Sequence, residues 1–281
     1  MSPSHTEAWL SRTLWLTASG AVALLVLIFL FLVTESRLAV TEGHWLRFIN
    51  TPGWFPSEGQ FNLWPMLLAT LLATLGALIL AVPMGIASAF FVSFFAPARL
   101  ATVFRRLLML LAGIPSVVYG LWGLTVLVPL IAQLAPPGAS LLSAILILAI
   151  MILPTIALTS DAALRAVPVS YWRGGQALGL SAQAILLTIA VPAARSGIFT
   201  GVLLATTRAL GETMAVLMVA GNVVQVPGSI FDSVRVLTAN IALEMAYATD
   251  AHRASLYVSS LLLTLVVVAI VCLGRQVEAK P

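Results

Sequence analysis

Charged residues are scarce in this chain of 281 residues. They make up 9% of the sequence, whereas hydrophobic residues make up 60%. An ordinary soluble domain carries about 25% charged residues, so a water-soluble fold is close to excluded. The long uncharged segments predict an all-α, polytopic membrane protein whose main solvent is the lipid bilayer.

Cysteine and histidine are also scarce. The single cysteine, Cys272, rules out an intramolecular disulfide and a cysteine-rich metal site. The three histidines, His5, His44 and His252, all lie outside the predicted spans. The sequence has no H-E-x-x-H or G-x-S-x-G pattern, no P-loop lysine and no pair of intramembrane aspartates. We therefore predict no catalytic residue and no metal site, and any ATP hydrolysis must occur on another subunit.

Six apolar segments are long enough to cross a bilayer, which needs roughly 20 residues per helix. Residues 63–95 are too long for one upright crossing and too short for two, so we predict one tilted helix that can bend at Pro83 and Gly85. Residues 107–160 hold two crossings, separated by a turn at residues 135–138. The other predicted crossings are residues 13–34, 196–220 and 254–274.

The basic residues indicate the direction of these crossings. They are scattered between apolar runs, which excludes a nucleic-acid footprint for the formal charge of +4. With both termini in the cytoplasm, the inner segments carry most of them, as the positive-inside rule requires. The inner residues are Arg12, Arg99, Arg105, Arg106, Arg165, Arg173, Arg195, Arg275 and Lys280, and the outer ones are Arg37, Arg47, Arg235 and Arg253.

Two outer segments follow from this topology, residues 35–62 and about 221–253. The first contains several aromatic residues near the membrane boundary, where such residues usually form an interfacial belt. We assign no chemistry to them. They are Trp45, Trp54, Phe55 and Trp64.

The inner loop at about residues 161–195 has a clear local pattern. Pro168 suits the first turn of a helix, and Gly179 suits its left-handed stop. An apolar stretch follows and closes on Pro192. We predict a short cytoplasmic helix, a turn and a second helix that leads into the membrane. The alternative is an amphipathic inner loop of a generic transporter.

The fifth crossing contains two charges, Arg208 and Glu212. Their i, i+4 spacing would place them on one helical face. A charge near the middle of a membrane costs at least about 2.5 to 3.5 kcal/mol on insertion scales, so such residues face a cavity or a partner. Two interpretations stay open: the residues neutralise each other and hold helices together, or Arg208 attracts an anion while Glu212 orients the arginine.

The third crossing contains a proline between two glycines. Pro115 cannot donate a backbone hydrogen bond, and Gly113 and Gly120 allow a close approach of another backbone. Broken helices at membrane depth are tolerated where they line a cavity or are buried in protein. Pro154 could bend the fourth crossing in the same way. An ordinary packing kink is the alternative at each proline.

The inner loop resembles the cytoplasmic motif of ABC importer permeases, which runs E-A-A, three residues, Gly, nine residues, then I-x-L-P. Gly179, followed after nine residues by Ile189 and then by Pro192, fits that spacing. The start of the motif differs from the family pattern, because Arg173 takes the acidic position and glycines take the two alanine positions. The resemblance implies coupling to an ATPase through Arg173, Gly174, Gly175, Ala177, Gly179, Ile189 and Pro192.

Residues 112–120 and 208–216, with the outer segment 238–244, resemble the permeases of phosphate-specific ABC importers, the PstC type more than the PstA type. The resemblance covers residues 63–281 and implies a type I importer permease fold there. The apolar run in residues 1–62 separately predicts an anchor helix followed by an outer loop. The resemblance also implies a substrate path lined by Gly113, Pro115, Ser116, Tyr119, Arg208 and Glu212.

Such a permease would form half of the path of an ATP-driven phosphate importer in the bacterial inner membrane. The implied partners are a homologous PstA-like permease, a PstB-like ATPase dimer that holds ATP and Mg²⁺, and an outer PstS-like phosphate-binding protein. No cofactor is implied in this chain. The competing predictions are an ABC permease for another oxyanion, sulfate or molybdate, and an ion-coupled secondary transporter.

Overall fold

The computed structural model describes residues 5–40 and 47–278. The predictions that concern His44, Trp45 and Lys280 fall on residues outside these ranges. Within them the chain is helical except for connecting segments and one short hairpin. The helices are α1 (His5–Val40), α2 (Arg47–Asn50), α3 (Trp64–Phe90), α4 (Ala98–Gly113), α5 (Ser116–Trp122), α6 (Val128–Ala132), α7 (Leu141–Arg165), α8 (Val169–Ala177), α9 (Ala182–Ile185), α10 (Val191–Leu210), α11 (Met214–Val219), α12 (Leu237–Glu244) and α13 (Asp250–Glu278), and the strands are β1 (Trp54–Phe55) and β2 (Gln60–Phe61).

Five helical segments of the described chain are long and apolar enough to cross a membrane, and a sixth crossing is a bent pair. The six-crossing prediction is therefore confirmed. The second crossing is a single helix, as expected: α3 runs through Pro83 and continues into a wide helical turn at Phe91–Phe95. The turn predicted at residues 135–138 also lies between two crossings, because α6 ends at Ala132 and α7 begins at Leu141.

The third and fifth crossings differ from the prediction. The third is broken, since Ala98–Gly113 and Ser116–Ala132 meet at an angle of 91°. The fifth begins at Ala182 rather than near residue 196, because the Ser181 hydroxyl accepts a hydrogen bond from the Ala184 amide and so caps α9. A wide turn at Leu186–Ala190 then carries the helix into α10.

Helices α3 and α7 form the centre of the molecule, and small residues bring them together. Ala69, Ala73, Ala77 and Ala81 recur every four residues along α3 and are at most 1% exposed. They pack in one core with the branched side chains of α7. Small residues let helix backbones approach closely in a membrane, where helix association has no hydrophobic driving force.

Other helices surround this pair. Helix α10 crosses α7 where Gly197 meets Ala163 and Gly201 meets Thr159. Helix α1 packs against α13, with the Phe31 ring edge-on to Tyr257. The apolar residues of α1 are otherwise largely exposed, as expected of a helix that faces lipid.

The end of the bundle that carries residues 47–63 and 221–249, which we call the cap end, is held together by one buried carboxylate. Glu244 on α12 accepts hydrogen bonds from the Trp54 indole at 2.7 Å and from Arg235 at 2.7 Å, and it lies 2.8 Å from the His252 ring. Its side chain is 8% exposed. The interfacial-belt interpretation of Trp54 is wrong, since this residue is buried and joins the hairpin to α12.

The Glu244 hub predicts a specific loss of stability. Glu244→Ala would leave the half-buried Arg235 without its carboxylate and remove the acceptor of the Trp54 indole, which should cost about 2–3 kcal/mol. We expect a clearly lower unfolding temperature for the purified protein in detergent. Glu58→Ala is the matched control, because Glu58 is exposed and pairs only with the Gln60 amide at 3.1 Å; it should change stability by no more than about 0.5 kcal/mol. Equal effects of the two changes would contradict the hub.

Candidate functional site

The break in the third crossing falls at Pro115. Ile114 and Pro115 are both extended, with ψ angles of 129° and 141°, and α5 begins at Ser116. The residue before a proline disfavours the helical region, and proline has no N–H to continue the ladder. The predicted break in the helix is therefore confirmed, and it is a sharp bend rather than a mild kink.

The fifth crossing is also broken, between Leu210 and Met214. Glu212 lies in this gap, where its side chain accepts a hydrogen bond from the Ala215 amide at 3.2 Å and caps α11. Its backbone carbonyl accepts from the Thr238 hydroxyl at 2.8 Å. The expectation that Arg208 and Glu212 lie one turn apart on a continuous helix is wrong, because α10 ends between them.

Arg208 occupies the last turn of α10 and is exposed. Within the described part of the chain, no residue forms an ion pair or side-chain hydrogen bond with its guanidinium. The interpretation of Arg208 and Glu212 as a mutually neutralising pair is therefore wrong.

The short helices that follow the two breaks pack side by side. A Cβ on Gly120 would meet Ala215 Cα at 2.9 Å and Met218 Sδ at 2.8 Å, and one on Gly123 would meet Val219 Cγ1 at 2.8 Å. Helices α5 and α11 therefore run in the same direction, and both breaks lie at the same end of this pair. Glycine is required at Gly120 because the facing atom belongs to a backbone.

The other predicted path residues surround the first break. Tyr119 is buried and donates a hydrogen bond to the Leu111 carbonyl at 2.8 Å, which ties α5 back to α4 across the bend. Pro115 is exposed and Ser116 is half-buried. Gly113 is exposed and has open space around its Cβ position, so the expectation of a close backbone approach there is wrong.

The inner loop folds as its sequence predicted. Helix α8 begins after Pro168, and Gly179 takes the left-handed conformation with φ of 72°. The Gly179 amide donates to the Gln176 carbonyl at 3.0 Å, and the Leu180 amide donates to the Gly175 carbonyl at 3.1 Å. These two bonds are the Schellman pattern that ends many helices.

Helix α8 is held against the membrane helices by a glycine and a tryptophan. A Cβ on Gly175 would meet side-chain atoms of Ile185 at 2.7 Å and of Ile189 at 3.2 Å, so a larger residue here would require Ile185 to shift. The Trp172 ring lies 5.1 Å from that of Phe94, in the wide turn that follows α3. The close approach of Ile185 to Gly175 favours glycine at the position of the motif's second alanine.

The other face of α8 is free to meet a partner. Arg173, Gly174 and Ala177 are exposed, and nothing lies within 4 Å of a Cβ at Gly174. Large apolar side chains are exposed beside them. These are Val169, Tyr171 and Leu178. Pro192 is exposed and follows the wide turn Leu186–Ala190.

Sequence reasoning missed a buried carboxylate beside this loop. Asp161, with a side chain 3% exposed, accepts from both Nε and Nη2 of Arg105 at 2.9 Å, from Ser93 at 2.7 Å, and lies 2.9 Å from Arg165. We call these four residues the Asp161 cluster. The signal in the sequence was its isolation: Asp161 is the only acidic residue between Glu58 and Glu212.

Comparison with known proteins decides which family has this architecture. Residues 81–279 match the family model described as "Binding-protein-dependent transport system inner membrane component". The chain belongs to this family of permeases. A solved relative, the MetNI methionine ABC transporter in an inward-facing conformation, aligns with a TM-score of 0.59 at 19% identity over 80% of this chain and 95% of that chain. An amino acid ABC transporter aligns with a TM-score of 0.58 at 16% identity over 77% and 92%. These likenesses show that the permease has the fold of ABC importer permeases.

Curated relatives of the permease match along most of its length. The phosphate transport system permease protein PstC of Mesorhizobium japonicum is 31% identical over 95% of this chain and 89% of its own length. The protein of the same name from Haemophilus influenzae is 30% identical over 98% and 95%. The probable ABC transporter permease protein YqgH of Bacillus subtilis is 39% identical over 73% and 67%.

The packing of the two short helices predicts how the permease responds to a larger side chain at Gly120. Gly120→Val would force α5 away from the Ala215 backbone, and overpacking of this kind costs about 1–3 kcal/mol. We expect a lower unfolding temperature in detergent. Gly113→Val is the matched control on the other side of Pro115, where the Cβ position is open. A loss at position 113 as large as that at position 120 would contradict the packing described.

Proposed function

We propose that this chain is the permease subunit of an ATP-driven phosphate importer, in which it forms half of the transmembrane path. The observation that carries the proposal is the match along nearly the whole chain to proteins named as phosphate transport permeases of the PstC type. Sulfate and molybdate are the competing cargoes, since an arginine would attract either anion. The names of these relatives favour phosphate.

The partners in this proposal are a PstA-like permease for the other half of the path, a PstB-like ATPase dimer and a PstS-like phosphate-binding protein. ATP and Mg²⁺ belong to the ATPase. The family description supports dependence on a binding protein. We further propose that both termini lie in the cytoplasm of a bacterial cell, because that orientation places most of the arginines inside. Residues 63–281 would be the permease core, and residues 1–62 the anchor helix and outer loop.

In the proposed cycle, ATP binding closes the ATPase dimer and moves helix α8. That movement swings the membrane helices so that the path opens outward and receives phosphate from the binding protein. The exposed apolar residues of α8 support this docking role, since Val169, Tyr171 and Leu178 are each more than half exposed among the described residues. The exposed Arg173 would meet the ATPase surface where the family motif has an acidic residue.

The role proposed for Arg208 is attraction of the anion into the path. Three observations support it: the guanidinium is exposed, it has no carboxylate partner in the described chain, and it lies at the broken end of α10. An intramembrane cation without a counter-charge costs several kcal/mol unless water or an anion meets it. Gly113, Pro115, Ser116 and Tyr119 would then line the path around the neighbouring break.

Arg208→Gln tests this role. The variant should assemble and hydrolyse ATP but import phosphate at about a tenth of the normal rate or less, because the anion loses its counter-charge. The measurement is phosphate uptake into reconstituted vesicles, normalised to assembled complex. Arg195→Gln is the matched control, since Arg195 is exposed nearer the start of the same helix. It should transport normally.

Two further variants sharpen the test. Arg208→Lys keeps the charge without the planar fork that grips two oxygens, so a partial loss would indicate bidentate contact. Glu212→Gln should retain most uptake, because an amide oxygen can still accept from the Ala215 amide. Near-normal uptake by Arg208→Gln would remove this arginine from the mechanism and leave the assignment to phosphate without its site.

Gly179→Val tests the docking role of the inner loop. A β-branched residue at φ of 72° should strain the end of α8 by about 1–2 kcal/mol and uncouple ATP hydrolysis from import without removing the permease from the membrane. Gly59→Val is the matched control, because Gly59 has φ of 68° and the same open surroundings at the cap end. Uptake per ATP hydrolysed should fall in the first variant only. Normal coupling in Gly179→Val would make the docking assignment wrong.

A further inference from the structure

The Asp161 cluster joins the end of α7 to two segments that are distant from it in sequence and adjacent to each other, the wide turn Phe91–Phe95 and helix α4. Asp161 lies one turn before the end of α7, Arg105 lies in the middle of α4, and Ser93 lies in the wide turn Phe91–Phe95 after α3. The two parallel hydrogen bonds from Arg105 fix both distance and orientation, because the guanidinium and carboxylate are planar. The ends of these three segments are therefore held as one unit.

Helix α8 is attached to the same unit at two points. Only residues 166–168 separate α7 from α8. In addition, the Trp172 ring of α8 packs on Phe94, the neighbour of Ser93 in the wide turn. A displacement of α8 is thus applied directly to α7 and to the wide turn, which are two of the three segments that the cluster joins.

The unit ends at the break in the third crossing. Helix α4 runs from Ala98 past Arg105 to Gly113, immediately before Pro115. The Leu111 carbonyl accepts the hydrogen bond from Tyr119 that links α4 to α5. A movement of α4 relative to α5 would change the position and angle of the break.

We propose that Asp161 is a positioning residue that transmits the displacement of α8 to the break at Pro115 through Arg105. This inference rests on the proposed function, since it requires that an ATPase move α8. Arg105 carries the link between helices, while Arg165 lies on the same helix as Asp161 and makes one contact with its carboxylate and one with its backbone carbonyl. The Arg165 side chain is also more exposed, at 56% against 23% for Arg105. Asp161 touches neither the anion nor the ATPase in this mechanism.

The test is the ratio of phosphate imported to ATP hydrolysed, measured on the complete transporter in vesicles with the binding protein present. Asp161→Asn should lower this ratio roughly fivefold, within the range found for changes along a packed network that couples two sites. Arg165→Gln, the matched control, should leave the ratio within about twofold of normal. A cluster that merely stabilised the fold would lower uptake and hydrolysis together with the amount of assembled complex, and the ratio would not change.

Arg105→Lys keeps the experiment decisive if Asp161→Asn fails to assemble. Lysine preserves the charge balance but cannot form both parallel bonds, so we expect assembly with a ratio lowered by about twofold or more. An unchanged ratio in Arg105→Lys and in any assembled Asp161→Asn complex would overturn the inference. A wild-type complex without ATP-dependent uptake would instead overturn the proposed function, which separates the two failures.

Discussion

Satisfaction of backbone hydrogen bonds at membrane depth is the constraint on which the two helix breaks depend. A peptide group without a partner in hydrocarbon costs several kcal/mol, so an interrupted helix needs side chains that replace the missing bonds. At the first break Tyr119 donates to the Leu111 carbonyl. At the second, Glu212 accepts from the Ala215 amide and Thr238 donates to the Glu212 carbonyl. Beyond α11, the side-chain amide of Asn222 donates to the Leu217 carbonyl.

These side-chain hydrogen bonds explain which of the two helix breaks could be predicted from the sequence. Pro115 marked a possible break because it lacks a backbone N–H, but proline alone does not decide the outcome, since α3 and α7 run unbroken through Pro83 and Pro154. The break after Leu210 depends on Thr238, which is distant in sequence, and on Glu212 turning toward α11. Spacing alone therefore suggested a continuous helix with paired charges. The same limit applies to the glycines: Gly113 and Gly120 look alike in sequence, and only the packing of α11 distinguishes them.

The fold outside the path was easier to predict, since it depends on local rules. Hydrophobic length determined the crossings, and Pro168 with Gly179 determined the bounds of α8. The two buried carboxylates were harder, because their partners come from separate segments. Asp161 and Glu244 each accept bonds from three side chains, at opposite ends of the bundle. Near the ends, water lowers the cost of the charges, while the interior relies on alanine and glycine contacts.

The carboxylates of the two hubs have charged partners, whereas Arg208, in the last turn of α10, has no carboxylate partner among the described residues. Asp161 and Glu244 are neutralised by neighbours within the chain, whereas the Arg208 guanidinium is exposed and without a carboxylate there. A membrane protein retains such a charge only where water, an anion or another subunit meets it, because the alternative is contact with hydrocarbon. In the proposed function, the exposed side of Arg208 is where this permease would meet water, an anion or a second permease. A path closed by a second permease would enclose the arginine, exclude lipid from it and give a passing anion its counter-charge.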